Sequence, residues 1–293
     1  MNLKIFGVSG TFNFMNFNVM EIINLVEFVK SGEMFEKIEG HYQQIVSDFD
    51  FGRLEGFVKI DNIGDFKKID KTKRTLFIID KILYKNIKEF FDMKNFSIID
   101  MNFGINSCGN KLTTSKLDVK FFLDEHIDIY EPYDLSSFLF NLELDGKNYI
   151  RINQNELPLN FGEENSNKDF LDLSSKGFDG QDLVLISSGS MISEIIRVNY
   201  LLAENGIFTS IVLLNKLSLD MEILKLNSKN LIFILDIENT KFYEKLVETK
   251  LKGFNIKFIY PEYGKFTTIL NEYICQDFEF DAEFLFEKIK KSK

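Results

Sequence analysis

The stretch DLVLISSGSMISEIIRVNYLLAENGIFTSIVLLNKLSLD, Asp182 to Asp220, limits the fold more than any other part of the chain. An apolar run, Leu183–Ser187, meets a Ser-Ser-Gly-Ser turn. A segment with helical apolar spacing follows, Met191–Glu204, and then a second apolar run, Phe208–Leu214. A strand without polar alternation is buried on both faces. Two such strands around one amphipathic helix predict a βαβ unit of a parallel sheet. Gly206 stands where a helix C-terminal glycine belongs.

The rhythm continues downstream with strands at Leu231–Ile237 and Ile256–Tyr260 and helices at Lys241–Lys252, Lys265–Tyr273 and Asp281–Lys290. Upstream it is less regular. Strands are expected at Leu3–Val8, Leu76–Ile79, Ser97–Met101, Ile127–Tyr130 and Asn148–Ile152, with helical spacing at Val19–Lys30, Asn86–Phe91, Leu117–Leu123 and Tyr133–Leu142. Gly104–Ser115 reads as a polar, glycine-bearing loop. Asn155–Gly180 has few apolar periodicities and many Asn, Ser, Gly and Asp residues, the composition of a linker. The expectation is an α/β protein of two domains, each a mainly parallel sheet flanked by helices: 1–154, a linker over 155–180, and 181–293.

A formal net charge of −10 excludes a general nucleic-acid binder, which needs a basic surface to displace counterions, and disfavours an anionic membrane. No stretch approaches the length of a membrane span. The N-terminus has too short an apolar run for a signal peptide. Cys108 and Cys275 lie far apart without metal-type spacing, which suits a reducing cytoplasm. His41 and His126 belong to no nucleophile or metal constellation. The Ser188-Gly189-Ser190 turn lacks the lysine of a phosphate loop and the three glycines of a dinucleotide fingerprint, so it is expected to cap a packed helix at Ser190 rather than hold an anion.

Several of these segments, taken in order, resemble the C-terminal half of transketolase-like enzymes. The opening strand–turn–helix–strand is similar to that family's C-terminal domain. LIFILDIEN (Leu231–Asn239) resembles its next strand, which ends in an acid. YIRINQNELP (Tyr149–Pro158) and IDIYEPYDLSSFLF (Ile127–Phe140) resemble the strand that enters the linker and the proline-containing strand before a helix. The family comprises transketolases, deoxyxylulose-phosphate synthases and the beta subunits of 2-oxoacid dehydrogenases, all users of thiamine diphosphate. The resemblance implies a pyrimidine-type domain followed by a C-terminal domain. The diphosphate and Mg²⁺ would be held by a separate N-terminal subunit, because the Gly-Asp-Gly of the diphosphate-binding domain does not occur here. A homo- or hetero-oligomer is implied with it.

The resemblance also implies site residues. A carboxyl group beside the aminopyrimidine ring promotes its imino tautomer, which deprotonates the thiazolium carbon. Glu55 stands at about the right remove from the Leu76–Ile79 strand for that task, followed by GFVKIDNIGDFKKID where the family has a helix. Thr113 or Thr114 stands where the family's loop presents a histidine to substrate; a hydroxyl hydrogen-bonds there but does not shuttle protons near neutral pH. Arg151 matches a substrate-phosphate arginine, while a second arginine three residues on is replaced by Gln154. An interdomain salt bridge is the alternative for Arg151. Two functions stand side by side: the C-terminal subunit of a split thiamine-diphosphate enzyme that transfers a two-carbon or acyl unit, and a non-catalytic interaction or scaffold protein that kept the fold and lost the site. An unrelated α/β enzyme with a nucleotide at a sheet edge finds no phosphate-loop signature.

Overall fold

The computed structural model describes residues 22–51, 57–79, 83, 86–101, 107–108, 111–112, 119–152, 156–158, 169–173, 182–217, 226, 228–237, 240–260 and 281–291. In chain order these form β1 (Ile22–Asn24), α1 (Leu25–Ser31), α2 (Glu33–Lys37), β2 (Gln44–Ser47), β3 (Phe57–Lys59), β4 (Thr75–Ile79), β5 (Phe96–Asp100), β6 (Ser107–Cys108), β7 (Lys111–Leu112), α3 (Val119–Asp124), β8 (Asp128–Tyr130), α4 (Leu135–Glu143), β9 (Lys147–Arg151) and β10 (Glu156–Pro158). There follow β11 (Phe170–Asp172), β12 (Leu183–Ser188), α5 (Ile192–Glu204), β13 (Thr209–Leu214), β14 (Asn230–Ile234), α6 (Thr240–Lys250), β15 (Asn255–Ile259) and α7 (Ala282–Lys290).

Among the described residues, one sheet is wholly parallel in the order β3-β2-β4-β5-β9-β8. A second runs β11-β13-β12-β14-β15, parallel except for the antiparallel edge strand β11. Alternate residues of the central strands fall into two apolar clusters. Ile78, Ile99, Ile150, Leu185 and Ile232 lie in one; Phe77, Ile98, Tyr149, Val184 and Phe233 lie in the other. Each sheet is therefore buried on both faces, which is why its strands read as continuous apolar runs. Both clusters draw residues from both sheets. The fold is α/β in two layered sheets, as the strand–helix rhythm requires.

Three local readings are corrected. Val19–Lys30 is not one helix: Ile22–Asn24 is a strand paired with β10, and the helix starts at Leu25 because the Asn24 side chain accepts from the Glu27 amide at 3.1 Å. The helix expected after Glu55 is instead β3, then a 3₁₀ turn at Ile63–Lys68. Asn62 and Asp65 form a capping box on that turn, which ends the extended run after Lys59. The Ser188–Ser190 turn does not cap α5 with a serine: the cap is Met191, without a side-chain hydrogen bond. Glu194, in the first turn of α5, accepts from the Ala282 amide at 2.8 Å and so holds the start of α7. The strand predicted at Leu3–Val8 and the helix at Lys265–Tyr273 lie outside the described residues. Short strands β10 and β11 fall within 155–180.

Candidate functional site

In an open parallel sheet the ligand crevice lies beyond the carboxyl ends of two neighbouring strands whose connections leave in opposite directions. In the first sheet those strands are β2 and β4. The chain passes from β2 outward to β3 on one side, and from β4 to β5 on the other. The rim is tied across this gap. Ser47 Oγ donates to the Ile78 carbonyl at 2.8 Å and accepts from the Phe49 amide at 2.9 Å. The Leu83 amide, beyond β4, donates to Asp48 at 3.2 Å, beyond β2.

The residues that leave β2 are aromatic. Phe49 and Phe51 have ring centroids 4.9 Å apart, and Phe51 meets Phe35 edge-on at 5.0 Å and Phe57 edge-on at 5.8 Å. All four rings are only partly buried, and they form an aromatic cluster beside β2 and the edge strand β3. The segment 52–56, with Glu55, follows Phe51 in the chain. Glu55, Thr113 and Thr114 all lie outside the described residues.

Arg151 ends β9 at the junction of the two sheets. It is 4% exposed, and its guanidinium donates to Glu131, itself 1% exposed, just beyond β8. The same nitrogen donates to the Asp236 carbonyl, beyond β14 in the second sheet, at 2.9 Å. Around this ion pair the sheets are laced together. The Glu131 amide donates to the Asn215 carbonyl at 2.7 Å, and the Leu217 amide donates to the Ile129 carbonyl at 2.8 Å, so residues after β13 close the open edge of β8. Asn141 and Asn215 exchange side-chain amide bonds at 2.8 and 3.0 Å. Burial and the nearby Glu131 charge push the Tyr243 phenol well above its ordinary range, while Arg151 works against the shift.

A second buried acid lies opposite Arg151 in the ladder. Asp100, the last residue of β5, is its register partner and accepts from the Tyr149 hydroxyl at 2.5 Å. Phe122 stacks on the Tyr149 ring, with centroids 3.9 Å apart. Sequence reasoning missed Asp100, Glu131 and the part Asp236 plays. The signal was present: IID, IYE and ILD each end an apolar run on an acid, and in a parallel sheet such ends collect along one edge.

No family model and no curated protein matches the sequence. Solved structures do match, and they define the class: both sheets together have the fold of transketolases. A structure described as a split-gene transketolase, an inactive beta4 tetramer, superposes with a TM-score of 0.63 at 12% identity, covering 90% of this chain and 96% of that one. A transketolase variant from Pichia stipitis gives 0.64 at 13%, over 93% of this chain. The Campylobacter jejuni transketolase gives 0.55 at 13%, over 74%. The chain spans only 46% and 35% of those two enzymes, and nearly the whole of the split-gene one. It is a transketolase-like C-terminal half in fold.

Proposed function

We propose that this chain is the C-terminal subunit of a split, thiamine-diphosphate-dependent transketolase-like enzyme, transferring a two-carbon or acyl unit from a ketose or 2-oxoacid. The observation that carries the proposal is the extent of the likeness, which coincides with a split-gene chain and with about half of the full-length enzymes. The domain division 1–154, 155–180 and 181–293 belongs to the same proposal. So do a reducing cytoplasm, an N-terminal partner that holds the diphosphate and Mg²⁺, and assembly into an oligomer. Among the described residues no helix is long and apolar enough to cross a membrane.

Phe49 and Phe51, the aromatic residues that leave β2 beside its gap with β4, support a site for the coenzyme's flat ring, and the segment that carries Glu55 follows them directly in the chain. When bound, the coenzyme supplies the nucleophilic carbon that attacks the substrate carbonyl. Glu55 would hold a proton against a nitrogen of the pyrimidine ring. The partly buried rings of Phe49 and Phe51 would shield that contact from water. Thr113 and Thr114 would hydrogen-bond substrate hydroxyls. Arg151 is engaged by Glu131 and the Asp236 carbonyl, and this favours the interdomain role over phosphate recognition.

A specific observation favours a second reading. β3 replaces the helix that the resemblance implies after Glu55, so a non-catalytic interaction or scaffold protein that retains the fold is the rival. Mixing the chain with a partner that carries the Gly-Asp-Gly segment, thiamine diphosphate and Mg²⁺, and following transfer from a ketose to an aldose, decides between them. Transfer that is lost in Glu55→Gln supports the enzyme. A stable complex without transfer supports the scaffold.

A further inference from the structure

The second sheet has a crevice of its own. The chain leaves β12 for β13 on one side and β14 for β15 on the other, and β12 and β14 are neighbours. By the same rule that marks β2 and β4, the gap beyond their carboxyl ends is where such a sheet takes a ligand.

That gap is filled by the first sheet. On the β12 rim, Gly189 lies so close to the incoming chain that a Cβ added to it would stand 2.0 Å from the Pro132 carbonyl oxygen and 2.7 Å from that of Glu131. On the β14 rim, the Asp236 carbonyl accepts from the Arg151 guanidinium at 2.9 Å. A glycine that admits a close approach is how such a crevice takes a bound molecule, and the Asp236 carbonyl adds an acceptor on the opposite rim. Here both engage residues 131, 132 and 151 of the same polypeptide.

We propose that Glu131, Pro132 and Arg151 are a built-in ligand of the second sheet. A guanidinium and a peptide group occupy the crevice in place of a free molecule, and through them the second sheet takes its position from the first. The crevice is therefore a guanidinium site, and it accepts a small guanidinium ion once the Arg151 side chain is cut back. The glycine of the Ser188-Gly189-Ser190 turn is accounted for in the same way: it serves the docked backbone.

The test uses the full chain with Arg151→Ala, titrated with methylguanidinium and, separately, with methylammonium at matched ionic strength. Methylguanidinium is expected to raise the melting temperature of the variant saturably; methylammonium is not. The wild type, and Arg151→Ala combined with Glu131→Gln, should show no saturable rise. Hydrogen exchange supplies a second readout. In Arg151→Ala the Glu131 and Leu217 amides, which bridge the sheets, should exchange at least about tenfold faster, while amides inside β12 and β14 keep their protection. Methylguanidinium should reverse the change. If Arg151→Ala does not fold unaided, recovery of folding with methylguanidinium is the readout. Gly189→Ala, which leaves both ionic groups in place, should loosen the same two amides. The proposal is overturned if methylguanidinium has no saturable effect on stability or refolding, or if Gly189→Ala speeds exchange uniformly across the second sheet.

Discussion

The ion pair between Arg151 and Glu131 gives the sharpest energetic forecast. Both side chains are almost fully buried, at 3% and 1% exposure. Replacing Arg151 with Met removes the cation but leaves the carboxylate in a low-dielectric site. Loss of one partner of a buried pair costs about 3–5 kcal/mol, most of it the penalty of the stranded charge. Glu131→Met removes the counter-ion of the guanidinium, which keeps the Asp236 carbonyl, and falls in the same range. The double variant strands neither. It fills the space with apolar atoms of similar length and removes the Arg151 hydrogen bond to the Asp236 carbonyl, a loss of about 1–3 kcal/mol. Urea unfolding of the four proteins should therefore show an inversion, with the double variant more stable than either single one. Either of two results would show that the pair is not a buried, coupled one. Single losses below about 1 kcal/mol would mark a solvated pair, and a double loss equal to the sum of the singles would mean that the groups do not interact.

Other consequences follow from particular residues. Burial pushes the Tyr42 phenol up from 10.0 to about 12, so the unfolded chain ionises it first; between those values the unfolded state holds fewer protons and stability falls as pH rises. Tyrosinate absorbance alongside alkaline unfolding checks this, and Tyr42→Phe should flatten the slope. His126 ends α3 at a φ of 56°, in the left-handed region; His126→Gly should stabilise the fold by about 0.5–1 kcal/mol, read from the urea midpoint. Asp134→Ala removes the capping box of α4, where the Asp134 carboxylate accepts from the Ser137 amide at 2.7 Å; the expected loss is about 1–2 kcal/mol.

Much of the second sheet was legible because its strands are buried on both faces. Leu183–Ser187 and Phe208–Leu214 carry no polar alternation, and the structure extends or trims each by one residue. β2 was not legible. Gln44–Ser47 is four residues long, begins on Gln and ends on Ser, and its pairing with β3 and β4 supplies what its own composition does not. β3 was hidden for a related reason: Phe57–Lys59 is an edge strand of three residues followed by charged ones, which fits a helix surface equally well.

The junction was less legible still. Glu131 in IYEP looks like an ordinary acid before a proline, and Gly189 looks like part of a helix-start turn. Their pairing depends on a fold that brings residues 131 and 189 to the same carboxyl edge, which no local window contains. Arg151 could be singled out from its resemblance to a family arginine at a strand end, but only the packing of the two sheets, which brings Glu131 and the Asp236 carbonyl to it, shows what holds it.

On the proposed function, one half of a coenzyme pocket resides in this polypeptide. Calorimetric titration of thiamine diphosphate with Mg²⁺, into this chain alone and into its mixture with the Gly-Asp-Gly partner, tests it most directly. Heat of binding is expected in the mixture, is lost with Glu55→Gln, and is absent for the chain alone. Saturable binding by the isolated chain, or binding in the mixture that Glu55→Gln leaves unchanged, would contradict it.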